Sequence, residues 1–170
     1  EQLRLHPNPK KKGEEQLLNF LLKKRKPRLF HLSTIAYQIH FTPSKILDLL
    51  SKKLHECIRL GKVKSQMEDM EPIIRDADLL SFNIAALKAA DAPAQSAPSP
   101  SGLTSEEACQ ISRYAGLSDK LTSAGFYGLV PEKDVDGRSA QVFAQLIWYL
   151  IDGFVHRKND YPVSTKGLVE

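Results

Sequence analysis

Few side chains able to do chemistry stand at spacings that make a site. His55 and Cys57 lie two residues apart within a helical pattern, so a helix points them apart and a shared metal is not expected. Ser81 and Ser123 have no base at a recognisable spacing, which gives a hydrolytic triad no support. The stretch Gly125-Phe126-Tyr127-Gly128 lacks both the spacing and the lysine of a phosphate-cradling loop. His31 and His40 flank a strand and a helix cap and read as core or capping residues, while His6 and His156 stand in polar, exposed settings. Cys57 and Cys109 are too few for a disulfide framework; reduced, packed thiols are expected, which points to the cytoplasm. Trp148, Tyr149 and Phe154 read as core or subunit contact.

The formal charge of +4 is gathered at one end, in Lys10 to Lys12 and Lys23 to Lys26 with Arg28 following. Such a cluster can bind nucleic acid by releasing counterions, but the aromatic interleaving of a single-strand platform is missing. A solvated helix end is the simpler reading and nucleic acid is not an expected partner. No apolar run reaches the length of a membrane span. The first residues, Glu1 to Pro7, carry neither an initiator Met nor an apolar signal region, so the chain reads as starting internally.

The elements that must position any site alternate. Leu17, Leu18, Leu21 and Leu22 give a helix over 14–26, with cations at its C-terminal end and Pro27 as its stop. Arg28 to Gln38 reads as a strand. Thr42 as N-cap, Pro43 in the first turn and Gly61 past the end frame a helix carrying Ile46, Leu49, Leu50, Leu54, Cys57 and Ile58. Glu71-Pro72 opens a short helical turn, and Ala77 to Leu87 is a buried strand running into a loop. The Ala/Pro/Ser-rich run 91–101, broken only by Asp91 and Gln95, is a long surface loop beside a site or a linker. Thr104 and Glu107 then form a capping box for a helix ending near Gly116. Leu121 to Val130 is a third strand. A last helix, from Ser139 to about Arg157, bears the stripe Val142, Phe143, Leu146, Ile147, Leu150 and Phe154.

This order predicts parallel βαβ units and a three-layer α/β/α sandwich with a mainly parallel sheet. Three strands are few for such a sheet, so residues 1–170 are expected to form part of a domain.

The segment Arg75 to Leu87, RDADLLSFNIAAL, resembles the third metal-binding segment of the ureohydrolases, the arginase, agmatinase and formimidoylglutamase superfamily. The likeness continues through Asp91-Ala92-Pro93, Gly102 to Glu107, Tyr114 to Leu121 with Gly125-Phe126-Tyr127, Gln145 to Phe154, and Arg157 to Pro162. Tyr37-Gln38 and Phe41 extend it upstream. In this second half the chain is most similar to a Bacteroidetes branch of that family, and the chain would be the C-terminal part of a ureohydrolase domain.

The resemblance implies a binuclear manganese site, with metal-bound hydroxide attacking an amidine carbon. The matched positions depart from it one by one. The first aspartate of the third segment falls on Asn83 and the second on Ala85. Setting Glu1 to Leu5 against an earlier D-x-H-x-D segment puts Gln2 in place of His and Arg4 in place of Asp. The family's substrate glutamate, three residues before a proline, falls on Gly128 before Pro131. Thr104 matches a substrate-lining position, and Asn83, Asp91 and Thr104 are the expected pocket lining. Asn83 itself is expected to hydrogen-bond its own loop. The expected function is therefore a ureohydrolase-fold protein without catalytic residues or a bound cofactor, acting by binding or assembly. By resemblance it forms a trimer or hexamer, with an unknown protein partner also open. The alternatives are an active manganese-dependent amidinohydrolase and, in a different class, a basic nucleic-acid binder.

Overall fold

The computed structural model describes residues 31–158. The helix expected over 14–26, both basic clusters, Gln2 and Arg4 lie outside the described residues. Two compact units divide the chain, Glu1–Val63 and Lys64–Glu170.

In the first unit, β1 (Ser33–Tyr37) is followed by α1 (Ser44–Lys52) and β2 (Glu56–Arg59), and β1 and β2 pair in parallel. Helix α1 buries Ile46 and Leu50 against Leu32, Leu49 and Cys57. The ladder slips between Ile35 and Tyr37, where buried Ala36 takes a left-handed φ of 62°. That bulge keeps Tyr37 opposite Arg59, whose Nε donates to the Tyr37 hydroxyl at 3.1 Å.

The single helix expected from Thr42 to Ile58 is not formed. Helix α1 stops at Lys52, and Cys57 and Ile58 belong to β2. The stop is a Schellman turn: the amide of Leu54 donates to Ser51 O at 2.9 Å and that of His55 to Leu50 O at 2.9 Å. Glycine normally supplies the left-handed residue of this turn, but here it is Leu54, with φ 58°. Gly61, expected just past the helix, instead lies within α2 (Leu60–Ser65). Thr42 does not cap α1 either; its hydroxyl donates to Gln38 O at 2.9 Å, and Pro43 holds the N-cap position. His31 and His40, expected in core or capping roles, are both exposed; His31 meets Ser33 and His40 stacks on Phe41.

Leu54 is 86% exposed, so its side chain contributes little packing to set against the backbone strain. Leu54→Gly is expected to stabilise the chain by about 1 kcal/mol and raise its melting midpoint by about 2–4 °C, read by thermal denaturation. An unchanged or lower midpoint would contradict the strained turn.

The second unit holds α3 (Met70–Arg75), β3 (Leu79–Asn83), α4 (Ser105–Gly116), β4 (Ser123–Tyr127) and α5 (Arg138–Val155). Strands β3 and β4 are parallel and in register from Leu79↔Ser123 to Asn83↔Tyr127. With β2 this makes four described strands where three were expected. Phe82 is buried in β3, but Leu79 is 60% exposed, so the strand is not covered evenly on both faces.

Helices α4 and α5 cross at small residues. A Cβ at Gly116 would run into Leu150 O, and one at Gly153 into Arg113 O. The close approach lets the Ser112 hydroxyl donate to Leu146 O at 2.7 Å and Arg113 Nε reach Asp152 at 2.8 Å. It also corrects the expected stripe of the last helix. The buried face of α5 is Ser139, Val142, Leu146 and Gly153, whereas Ile147 and Phe154 are turned outward. Backbone contact at Gly153 rotates the helix about its axis relative to a stripe chosen by side-chain size.

Candidate functional site

The site is built at the C-terminal ends of β3 and β4, where the register brings Asn83 beside Tyr127 and hence close to Gly128. Asn83 ends its strand by capping a single 3-10 turn, Ile84–Ala86: its Oδ1 accepts the Ala85 amide at 2.8 Å. This is the local bond expected of it. Gly128 leaves β4 with φ 87°, and a Cβ there would stand 2.6 Å from Asn83 Oδ1. Asn83 and Gly128, two of the positions at which the resemblance implies a carboxylate, are therefore in contact. The asparagine carboxamide lies where the first carbon of any larger residue at 128 would go.

Beyond the turn, the backbone pairs again at Leu87 and Leu103, with Leu103 N donating to Ala86 O at 2.8 Å and Lys88 N to Leu103 O at 3.0 Å. Gly102 is required there, since a Cβ would collide with the backbone of Leu87 and Lys88. Asp91 and Thr104 meet at the start of α4. Asp91 Oδ2 accepts the Ser105 amide at 2.7 Å, and its other oxygen lies 3.4 Å from Lys88 Nζ. Thr104 Oγ1 accepts the Glu107 amide at 3.1 Å while Glu107 Oε2 accepts the Thr104 amide at 2.8 Å, the expected capping box. Both residues thus serve the helix N-terminus, whose amides and dipole favour acceptors and negative charge.

The loop between is held by groups that a motif search passes over. Gln95 is buried, and its Nε2 donates to Leu87 O at 3.2 Å and Ala92 O at 2.7 Å. The Ala94 amide donates to Ser139 Oγ at 2.9 Å, Lys133 Nζ to Gln95 O at 3.1 Å, and Arg138 to Ala90 O at 3.0 Å. In the sequence, Gln95 stands out only as one long polar residue in a run of small ones. A loop without a ladder must satisfy its carbonyls with side chains, and that is what Gln95 does.

Electrostatically, burial works against a charged Glu107, but hydrogen bonds from Lys64 and the Thr104 amide, with the Lys64 charge, hold its carboxyl below the usual range. A depressed folded value means stability that is present above the unfolded pKa of about 4.3 and lost as pH falls through the folded one. Glu107→Gln keeps a capping side chain but loses the ion pair with Lys64 at 2.9 Å. It is expected to cost about 0.5–1 kcal/mol at pH 7. Below about pH 4 the two proteins should converge, as read by urea unfolding across pH. A constant difference down to pH 3 would count against the charge pairing.

This parallel α/β arrangement, with its chemistry-bearing ends after β3 and β4, is the fold of the arginase superfamily. It superimposes on Trypanosoma cruzi formiminoglutamase, solved with two Mn²⁺ ions, with a TM-score of 0.71 at 20% identity, over 84% of this chain and 51% of that one. The arginase family profile matches residues 49–152, and the chain belongs to that family. Among curated relatives, a formimidoylglutamase of Staphylococcus haemolyticus is 34% identical over 95 residues, 54% of this chain and 30% of the relative. One of Photorhabdus laumondii is 29% identical over 133 residues, 72% of this chain and 41% of the relative. The chain thus spans about half the length, or less, of the relatives it matches.

The residues at the matched positions do not fit a binuclear manganese centre. Hard divalent ions take charged carboxylate oxygens and imidazole nitrogens. Asn83 offers a neutral oxygen already engaged by the Ala85 amide, and Ala85 and Gly128 have no side-chain donor. Among the described residues, no group of three or more His, Cys, Asp or Glu side chains could hold a metal ion.

Proposed function

We propose that this chain is a non-catalytic member of the arginase family that acts through binding and assembly. The reading is carried by one observation: Asn83 Oδ1 is tied to the Ala85 amide and fills the space in which a side chain at position 128 would begin. A carboxylate at 128 could not enter without moving Asn83. Asn83 is a polar group at the strand end and Asp91 and Thr104 are polar groups at the start of α4; the reading takes them as the groups that would meet a small polar ligand without reacting with it. The reading includes self-assembly, as a trimer or hexamer, a cytoplasmic location, and descent from the Bacteroidetes-type branch that the C-terminal blocks resemble. No described helix is long and apolar enough to cross a membrane.

The alternative activity, manganese-dependent hydrolysis of a linear amidine such as formiminoglutamate, would need ligands from outside the described residues in addition to Asn83. The two readings part on metal content. After Mn²⁺ loading and desalting, elemental analysis of the protein is expected to give far less than one manganese per chain. No ammonia, urea or formamide should be released from formiminoglutamate, arginine or agmatine. Near two manganese ions per chain with turnover would overturn the non-catalytic reading.

A further inference from the structure

The chain has two Asp-Gly pairs, Asp136-Gly137 and Asp152-Gly153, and the fold sets them in opposite circumstances. In such a pair the aspartate side chain can fold back onto the next backbone nitrogen, and glycine puts no side chain in the way. Asp136 lies in the turn between the 3-10 turn Pro131–Lys133 and α5, with its side chain 50% exposed. Gly137 has φ 71°, nothing lies within 4 Å of where its Cβ would stand, and its amide makes a long bond of 3.3 Å to Asp134 O. Asp152-Gly153 is inside α5. There Gly153 is pressed against Arg113 O and Gly116, and the Asp152 carboxylate accepts Arg113 Nε at 2.8 Å and lies 3.3 Å from His156 Nδ1. Backbone amides along a helix are bonded, so this main chain has no freedom to turn.

We propose that Asp136-Gly137 is a site of spontaneous covalent modification, at which aspartate converts to isoaspartate, and that Asp152-Gly153 is not. The Gly137 nitrogen attacks the side-chain carboxyl carbon of Asp136. A C–N bond forms, one carboxyl C–O bond breaks, and that oxygen leaves as water with the amide proton and one proton from solvent. The product is a five-membered succinimide. Water then adds to the main-chain carbonyl of residue 136 and breaks its bond to nitrogen, so that the chain runs on through the side-chain carboxyl. One water leaves and one returns, and no other reactant is needed. The step requires a main chain that can turn, which loops supply at little free-energy cost. Arg138 slows it: its amide donates to Asp136 Oδ1 at 3.1 Å and its Nη2 to Oδ2 at 2.7 Å, which keeps the carboxylate charged. Both side chains are half-exposed, so this restraint is partial.

The consequence reaches the candidate site. Asp134 Oδ1 and Oδ2 accept the Ser139 and Ala140 amides at 3.0 and 2.8 Å, spanning the altered residue. An extra main-chain carbon at 136 takes that cap out of register. Ser139 Oγ in turn accepts the Ala94 amide and Arg138 donates to Ala90 O, so the loop that bears Asp91 loosens with it.

The test is to incubate the full chain near neutral pH at physiological temperature for several weeks. Isoaspartate is then read by methyl transfer with an isoaspartate-specific carboxyl methyltransferase and located by electron-transfer fragmentation. It is expected at residue 136 at a level at least about tenfold above residue 152, where the helix must open first. Asp136→Glu, which would need a six-membered ring, should abolish the label, and Arg138→Ala should speed its appearance about two- to fivefold. In the aged protein, hydrogen exchange at the Ser139 and Ala140 amides should quicken. A free peptide of residues 132–141 that accumulates isoaspartate while the folded chain does not would overturn the proposal, as would equal labelling at 136 and 152. Unchanged exchange at Ser139 and Ala140 in the aged protein would overturn the link to the loop.

Discussion

Gly128→Glu, which places a carboxylate where the proposed reading matches the family's substrate glutamate, is expected to destabilise the chain by about 3–5 kcal/mol and to leave manganese binding unrestored. Two costs add. The backbone at 128 has φ 87°, which any residue with a Cβ occupies at about 1–3 kcal/mol. The new Cβ would also stand 2.6 Å from Asn83 Oδ1 and 3.3 Å from Ile84 Cγ2, an overpacking cost of about 1–3 kcal/mol. The measurement is the midpoint and slope of urea unfolding for Gly128→Glu beside Gly128→Ala. Shortening the obstacle in Asn83→Ala/Gly128→Glu should recover part of the loss, because that clash goes while the backbone strain stays. The two sites touch, so their effects should be non-additive. Additive effects, or a Gly128→Glu variant as stable as the parent, would show that Asn83 does not guard position 128. The wider consequence is that a larger residue does not enter position 128 by one substitution, since the position is built around glycine.

The second large effect is expected at the crossing of α4 and α5. Gly153→Val should cost about 3 kcal/mol or more, although valine is the better helix former. Its branched side chain would drive into Arg113 O and the backbone of Gly116. Separating the helices would also break the bonds from Ser112 to Leu146 O and from Arg113 to Asp152. The control is Gly61→Ala in α2, where nothing lies within 4 Å of the added carbon. There helix propensity acts alone, and a gain of about 0.5–1 kcal/mol is expected in the same denaturant series. Equal responses at the two glycines would refute the close-packed crossing.

Structure is legible in the sequence where its cause is local. The capping box at Thr104 and Glu107 needs only two side chains three residues apart, and it stands as expected. Asn83 at the end of a strand was expected to bond its own loop because a short amide reaches the next amides without help from elsewhere, and it does so. The parallel βαβ order and the family followed from alternation and from blocks of residues along the chain, and the arginase family match agrees.

Structure is not legible in the sequence where the deciding partner is distant or the backbone takes an unusual conformation. Leu54 looked like the continuation of an apolar helical face, because leucine carries no signal for a left-handed turn. Yet the parallel pairing of Glu56 to Arg59 with β1 requires the chain to reverse there. By size Ile147 and Phe154 belong to a core, but the rotation of α5 follows glycines that let two backbones touch.

The sequence by itself determined the α/β class and the family, and it places Asn, Ala and Gly at 83, 85 and 128, since each depends on residue identity along the chain. The tertiary structure alone decided that Asn83 and Gly128 occupy one another's space, and which side of α5 is left open. Both depend on how close two distant stretches of backbone come, a distance fixed by packing across the fold.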